Sequence, residues 1–178
     1  MSTPLTISIY DVAVPTFTNG LRALAHILRQ AEAFAEREGL DADSAFAQAR
    51  LVADQNPLIF QVQNATKTVR VNVDRLAAGG TVSEPFADTE QTFADLHARI
   101  RAALDLVRGV EPAVANARAG EVVGLFAGGK PVQLTVQQAV LGHGIPNFIF
   151  HITTAYSILR AKGVPLGKAD FICSFVGL

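Results

Sequence analysis

Four long stretches of this sequence place apolar residues three or four positions apart, the spacing that lines them on one face of an α-helix. In the first stretch this face consists of Phe17, Leu21, Leu24, Leu28 and Ala31. The predicted helices run from about Pro15 to Glu38, from Leu58 to Leu76, from Phe93 to Val107 and from about Asn147 to Lys162. Four such helices bury their apolar faces economically as a four-helix bundle, and the long connections before the third and fourth helices leave its topology open.

Local signals mark the ends of the first two helices. Pro15 suits the first turn of a helix, and Gly39 suits the position just after its end. Asn56 and Pro57 predict a cap and a first turn for the second helix. Gly79-Gly80 is expected to end that helix.

The remaining boundaries are predicted in the same way. A short helix is expected around residues 44–50. Asp88 and Gln91 have the spacing of a capping box ahead of the third helix. Gly163 stops the fourth helix, and residues 164–178 are expected to form an irregular tail.

The pattern changes between the third and fourth long helices. Residues 122–126 and 131–135 are short and β-prone, and the two glycines between them predict a β-hairpin. A short helix from Val136 to Leu141 should follow, with a capping box formed by Thr135 and Gln138. The fold class is therefore mainly α, a four-helix bundle with a small hairpin before the last long helix.

The composition indicates one globular domain over residues 1–178, because 49% of the residues are hydrophobic and 17% are charged. A net charge of −1 without a local Lys/Arg cluster argues against a nucleic-acid partner. No apolar run reaches membrane-spanning length and no signal-peptide pattern is present, so no membrane association is expected. The single cysteine, Cys173, fits a reducing compartment, and the expected location is the cytoplasm.

The most informative residue is His151, which interrupts an otherwise apolar helix beside Asn147 and Tyr156. A buried imidazole needs a hydrogen-bond partner, and such partners are candidates for a functional site. From residue 146 to 171 the chain reads Pro-Asn-Phe-x-Phe-His-x-x-Thr-Ala-Tyr-x-Ile-Leu-Arg-x-x-Gly-Val-Pro-x-Gly-Lys-x-Asp-Phe. This segment resembles an uncharacterised helical-bundle family, domain of unknown function family 1993, which is related to the DinB/YfiT-like superfamily. Weaker matches at residues 10–15, 56–63 and 90–96 extend the resemblance over almost the whole chain.

The resemblance implies a DinB-like up-down four-helix bundle that is often a homodimer. It implies little about activity, because the family has no agreed function. The wider superfamily includes metal-dependent proteins, among them thiol-dependent transferases. Their metal site takes one histidine from the second helix and a His-x-x-x-His pair from the last helix.

This chain lacks two of those three histidines. Asn147 and Ala155 stand four residues on either side of His151, and the predicted second helix contains no histidine. We therefore predict no cofactor, and the ligand count disfavours a divalent metal. A substitute set of His97, His143 and His151 is the remaining option for a metal, although nothing in their spacing forces the three together.

The preferred hypothesis is that the protein binds a small molecule between its helices, without the three-histidine metal site. Such pockets combine apolar walls with a few polar groups. The candidate lining residues are His151, Asn147, Tyr156, Gln61 and His97.

Two alternatives belong to other classes of function. In the first, the protein is a transferase or hydrolase with His151 as general base, oriented by Asp95 or Glu90. In the second, it is a structural or interaction protein whose homodimer is built from the last helix and the apolar tail at residues 171–178. The alternative for this tail, which we favour, is that it packs against its own bundle.

Other polar residues have structural interpretations. His26 lies opposite the apolar stripe of its helix and is expected to be solvated, whereas His97 lies on the flank of its stripe and is expected to be half-buried. Cys173 has apolar neighbours in the sequence and is expected to be an inert thiol. Lys168 and Asp170 are expected to cap helix ends.

Overall fold

The computed structural model describes residues 7–77 and 84–177. In chain order the elements are α1 (Ile9–Arg37), a π-helical turn (Asp43–Ala47), α2 (Leu58–Leu76), α3 (Phe93–Arg108), α4 (Pro112–Ala117), β1 (Val122–Ala127), β2 (Lys130–Thr135), α5 (Val136–Ala139), a second π-helical turn (Val140–Gly144), α6 (Ile145–Ala161) and α7 (Lys168–Val176). The predicted end of the second helix at Gly79-Gly80 lies outside the described residues.

The four long helices form the predicted bundle. Helix α2 packs against α3 and α6, and α1 packs against the same two helices, so that α1 and α2 occupy diagonal corners. The apolar stripes predicted from the sequence face inward, and large side chains such as Phe17, Leu24, Leu58, Ile100 and Phe148 are almost completely buried. The predicted fold class is confirmed.

Hydrogen bonds between the elements fix the direction of each helix. Glu32, late in α1, bonds to His97, early in α3, so α1 and α3 are antiparallel. The pairs Gln61–His151 and Thr68–Asn147 show that α2 and α6 are also antiparallel. Gln63, early in α2, bonds to Glu90 just before α3, which makes these two helices parallel. The order of directions is therefore up, down, down, up rather than a strict alternation.

Helix α1 begins six residues before Pro15, so the predicted start was wrong. Ser8 Oγ accepts a hydrogen bond from Asp11 N at 3.3 Å, and Ser8 N donates to Asp11 Oδ2 at 3.0 Å. This capping box satisfies amide groups that the first helical turn leaves without partners, and Pro15 is accommodated inside the helix. The predicted end is confirmed, since Glu38 is the C-cap of the helix and Gly39 follows it with a φ of +66°.

Two other helix starts also differ from the prediction. Pro57 is itself the N-cap of α2, and no side chain caps that helix. The capping box of α3 is formed by Thr92 and Asp95 rather than by Asp88 and Gln91. Asp88 instead carries a positive φ of 53° and binds Arg99.

The predicted irregular tail is an error, because residues 168–176 form helix α7. Asp170 Oδ2 accepts a hydrogen bond from Gly167 N at 2.7 Å, which caps the start of this helix as expected for Asp170. Helix α7 packs against α1, with Phe171 and Phe175 turned toward the core. The sequence analysis also missed α4, which Pro112 begins, and the helix expected around residues 44–50 is instead the first π-helical turn.

The hairpin and the short helix after it match the prediction. Strands β1 and β2 pair antiparallel, with Ala127 opposite Lys130 across Gly128-Gly129, whose φ angles of 58° and 78° suit a tight hairpin turn. Thr135 and Gln138 form the predicted capping box of α5. The chain then continues without a break through the second π-helical turn into α6.

A buried guanidinium ties residues 84–92 to the bundle. Arg99 is 4% exposed and donates to Glu90 Oε1 at 2.8 Å, to Asp88 Oδ1 at 2.6 Å and to Thr66 Oγ1 at 2.6 Å. Its guanidinium also lies 4.6 Å from the centroid of the Phe86 ring. A charge can be buried in this way because hydrogen bonds and carboxylates surround it.

Over the described ranges, no helix combines the length and the hydropathy that crossing a bilayer requires.

Candidate functional site

The candidate site is the contact between α2 and α6, here called the α2–α6 seam: Gln61, Thr68 and Asn72 of α2 with Asn147 and His151 of α6. At its centre His151 Nδ1 lies 2.8 Å from Gln61 Oε1. Gln61 Nε2 in turn donates to the backbone carbonyl of Asn56 at 2.9 Å. Because Gln61 presents its oxygen, His151 must donate from Nδ1, which leaves Nε2 as a hydrogen-bond acceptor.

The surroundings of His151 keep its ring neutral. The residue is only 8% exposed, and burial lowers the pKa of its imidazole below the usual value of 6.5. The rings of Phe60 and Phe150 approach edge-on, with centroid distances of 6.2 and 5.3 Å. Across the part of the chain that the structure describes, Nε2 has no hydrogen-bond partner.

The seam continues toward the start of α6. Asn147 Nδ2 donates to Thr68 Oγ1 at 2.7 Å, and Asn72 Nδ2 donates to the Thr68 carbonyl at the same distance. Gly144 packs so closely on Asn72 that a β-carbon there would lie 2.5 Å from the amide atoms. Beside these residues is a cavity of about 150 Å³, lined by Asn64, Lys67, Thr68, Val71, Asn72, Arg75, Leu125 and His143.

Of the five predicted site residues, three meet on the seam: Gln61, Asn147 and His151. The other two lie elsewhere. His97 Nε2 bonds to Glu32 Oε2 at 2.9 Å between α3 and α1, and the Tyr156 ring packs edge-on against Phe171 of α7 at 6.0 Å. The structure thus brings Gln61, Asn147 and His151 together, whereas His97 and Tyr156 contact other helices.

Comparisons with known proteins agree with this architecture. The profile of a family described as "Domain of unknown function (DUF1993)" matches residues 9–172. The chain belongs to this family. A crystal structure of a DinB family member protein from Shewanella denitrificans is 40% identical in sequence, with a TM-score of 0.81 over 92% of this chain and 90% of that one. No curated protein sequence gives a significant match.

The seam of this DUF1993 protein does not fit the three-histidine site found in metal-dependent members of the superfamily. Gln61 occupies the place on α2 that faces His151, Ala155 is fully buried, and Asn147 is bonded to Thr68. Within residues 7–77 and 84–177, no group of three or more His, Cys, Asp or Glu side chains is arranged to hold a metal ion. His97, His143 and His151 therefore do not form the substitute set.

The carboxylates expected to orient His151 as a general base lie elsewhere in this DUF1993 protein. Asp95 caps α3 by accepting from Gln91 N and Thr92 N at 3.0 Å. Glu90 binds Arg99. Partial burial acts to raise the pKa of Glu90, but the hydrogen bonds from Arg99 and from Gln63 together outweigh it and lower this pKa. The partner that does orient His151 is an uncharged amide.

One polar pair in the structure was missed by the sequence analysis. His26 is not solvated as expected, because its Nε2 lies 2.9 Å from Asp170 Oδ1 and both side chains are about a third exposed. Together with Ala169, Cys173 and Ser174 they line a cavity of about 290 Å³ between α1 and α7. The two residues are 144 positions apart, and the tail was not recognised as a helix, so no sequence pattern joined them.

Proposed function

We propose that this protein binds a small organic molecule at the α2–α6 seam, where a neutral imidazole rather than a metal ion contacts the ligand. The observation that carries the proposal is the fixed tautomer of His151. Gln61 and the Asn56 carbonyl hold the Nδ1 proton in place, so Nε2 is an oriented acceptor without a partner among the described residues.

The chemistry around Nε2 defines the class of ligand. An acceptor on a neutral ring calls for an N–H or O–H donor on the ligand. The edges of Phe60 and Phe150 flank the imidazole and would contact a flat apolar body. Phe150 is 58% exposed and thus can be reached from solvent. A small aromatic or heteroaromatic molecule with one donor group suits this arrangement.

A matched pair of probes tests the proposal. Indole and N-methylindole have nearly the same shape, but only indole can donate a hydrogen bond. We expect indole to move the Nε2 signal of His151 in histidine-ring ¹H–¹⁵N spectra, and N-methylindole to have a much smaller effect. The variant His26→Gln, at the contact between α1 and α7, is the control, because it should keep the response, whereas His151→Gln should remove the signal and the binding.

Two results would contradict the proposal. The first is an Nε2 signal that neither probe moves, or that both move equally. The second is a metal content near one ion per chain, measured by elemental mass spectrometry on protein without an affinity tag, that is lost in His151→Gln. That second result would mean that Nε2 of His151 coordinates a metal ion and does not accept a hydrogen bond from an organic ligand.

A further inference from the structure

A separate cavity of about 230 Å³ lies between α1 and α3, on the opposite side of the bundle from the α2–α6 seam. Helix α1 contributes Arg22, Ala25 and Arg29, which are spaced three and four residues apart and so share one helix face. Helix α3 contributes a matching face, made of His97, Ile100, Arg101 and Leu104.

Three of these lining residues are arginines, and none is a carboxylate. Across residues 7–77 and 84–177, Arg22, Arg29 and Arg101 make no ion pair, and Arg22 donates only to the Asn19 amide at 3.4 Å. Like charges gathered around one cavity repel each other and together attract an anion. Among the described residues, no carboxylate therefore lines this cavity or forms an ion pair with its arginines.

Glu32, an acid beside this cavity, is hydrogen-bonded to His97 and not paired with an arginine. Glu32 Oε2 lies 2.9 Å from His97 Nε2, and this bond also links α1 to α3 at the end of the cavity beside Arg29. The spacing of the two arginine-bearing helix faces is thereby held by a contact between side chains as well as by the core.

The floor of the cavity is apolar. Ile100 is 1% exposed, and Ala25 and Leu104 are half-buried against the core. A ligand that reached this floor would gain from burying a short hydrocarbon group. At about 230 Å³ the space is smaller than the roughly 300 Å³ at which ordinary ligand pockets begin, so the ligand must be small.

We propose that the cavity between α1 and α3 is a binding site for a small organic oxyanion, a carboxylate or phosphate monoester with a short apolar group. Planar guanidinium groups match the paired oxygens of such anions, and the exposed residues Arg29 and Arg101 line the cavity from the two helices. The apolar group lies against Ala25, Ile100 and Leu104. The site is independent of the one proposed at the α2–α6 seam.

Titrations followed by the Nε–Hε signals of the arginine side chains test this site. The probes are butyl phosphate, butanoate, inorganic phosphate and butanol, and the expected result is that one of the two organic anions moves the Arg29 and Arg101 signals. The double variant Arg29→Gln/Arg101→Gln should lower the affinity for that probe by about tenfold or more. Arg160→Gln, an exposed residue of α6, is the matched control and should leave the affinity unchanged. Signals of His151 should not move in any of these titrations.

The relative strength of the probes decides the result. Tighter binding of butyl phosphate than butanoate assigns the head group as phosphate, and the reverse assigns it as carboxylate. The proposal is overturned if neither anion moves the arginine signals, if the double variant binds like the wild type, or if inorganic phosphate or butanol binds as tightly as the organic anions. Because Gln is a good helix former at exposed positions, the double variant should fold, and its thermal unfolding verifies this.

Discussion

At the scale of single residues, the histidines differ in the chemistry of their partners. His26 is bonded to Asp170 and His97 to Glu32, whereas His151 is bonded to the neutral amide of Gln61. Since an amide carries no charge, nothing offsets the cost of removing an imidazolium from water at His151. The same burial that lowers the pKa of His151 therefore keeps Nε2 free to accept a hydrogen bond at neutral pH.

This lowered pKa makes stability depend on pH in a defined direction. Below pH 6.5 the unfolded chain protonates this histidine, while the folded protein does so only at lower pH. The contribution of His151 to stability is thus fully present above pH 6.5 and falls as the pH drops toward the folded-state pKa. Between pH 8 and about 5, the free energy of unfolding measured in urea should therefore fall less in His151→Gln than in the wild type.

The control for this measurement is His143→Gln, which lines the small cavity but leaves the His151–Gln61 bond in place. It should keep the pH dependence of the wild type. Identical pH profiles for the wild type and His151→Gln would show that the ring is not held neutral by burial.

At the scale of elements, the second π-helical turn sets how closely α6 approaches α2. Gly144 lies against Asn72, and its φ of −58° is open to any residue, so the constraint there is space and not backbone conformation. Gly142, in the same turn, has no atom within 4 Å of the place where a β-carbon would stand. Alanine substitutions at these two glycines therefore distinguish the cost of a steric clash from the effect of replacing a glycine in this turn.

We expect Gly144→Ala to destabilise the protein by about 1–3 kcal/mol, because the new methyl group overlaps the Asn72 amide and forces the seam apart. Gly142→Ala is the matched control and should change the free energy of unfolding by less than about 1 kcal/mol. Chemical denaturation of both variants measures the difference. Equal effects of the two substitutions would contradict this, because they would mean that Asn72 moves aside without lowering the free energy of unfolding.

The docking of α7 depends on Asp170, which caps its helix and binds His26 of α1. The hydrogen bond from Gly167, followed by the one with His26, lowers the pKa of Asp170, so the carboxylate is charged at neutral pH. We expect Asp170→Ala to cost about 1 kcal/mol and to loosen α7. The single cysteine, Cys173, reports this directly, since its rate of labelling by a maleimide should rise about fivefold.

Lys168→Ala, on the same helix but exposed, should leave the labelling rate of Cys173 unchanged. A rate that Asp170→Ala does not raise would show that the contacts of Phe171 and Phe175 with the core hold α7 in place without the cap.

The elements also show what could be read from the sequence and what could not. Periodicity located the long helices and the hairpin because each depends on residues close together in the chain. Helix α7 was missed because Gly163, Pro165 and Gly167 indicate a loop, while the cap at Asp170 and the packing on α1 overcome that tendency. Of the candidate site, the sequence predicted His151, Gln61 and Asn147, yet the pairing of His151 with Gln61 joins residues 90 positions apart. That pairing follows from the antiparallel arrangement of α2 and α6, which a single sequence does not specify.

At the scale of the whole molecule, several large apolar side chains remain at the surface. Ile172 and Val176 of α7 are 42% and 66% exposed, although the other face of that helix packs on α1. Exposed apolar side chains on one helix are typical of a contact between proteins, so the homodimer stays a prediction of the sequence and gains a candidate surface here.

Light scattering during size exclusion tests the dimer at micromolar concentration. We expect a mass near twice 18.9 kDa for the wild type and a shift toward the monomer in Ile172→Asp/Val176→Asp. Val122→Asp, at an equally exposed position on the hairpin, is the control and should keep the mass of the wild type. A wild-type mass of 18.9 kDa would remove the prediction.

The buried Arg99 has a consequence for the order in which the protein folds. Its guanidinium can leave water only when α2, α3 and residues 84–92 are all in place, because Thr66 lies in α2 while Asp88 and Glu90 lie in the segment before α3. The interaction should therefore be absent from the folding transition state. We expect Arg99→Met, at a cost of about 3 kcal/mol, to accelerate unfolding while leaving the folding rate nearly constant. Stopped-flow kinetics in urea would contradict this if the loss appeared in the folding rate. Arg99 would then determine the lifetime of the folded bundle through its unfolding rate, with little effect on the folding rate.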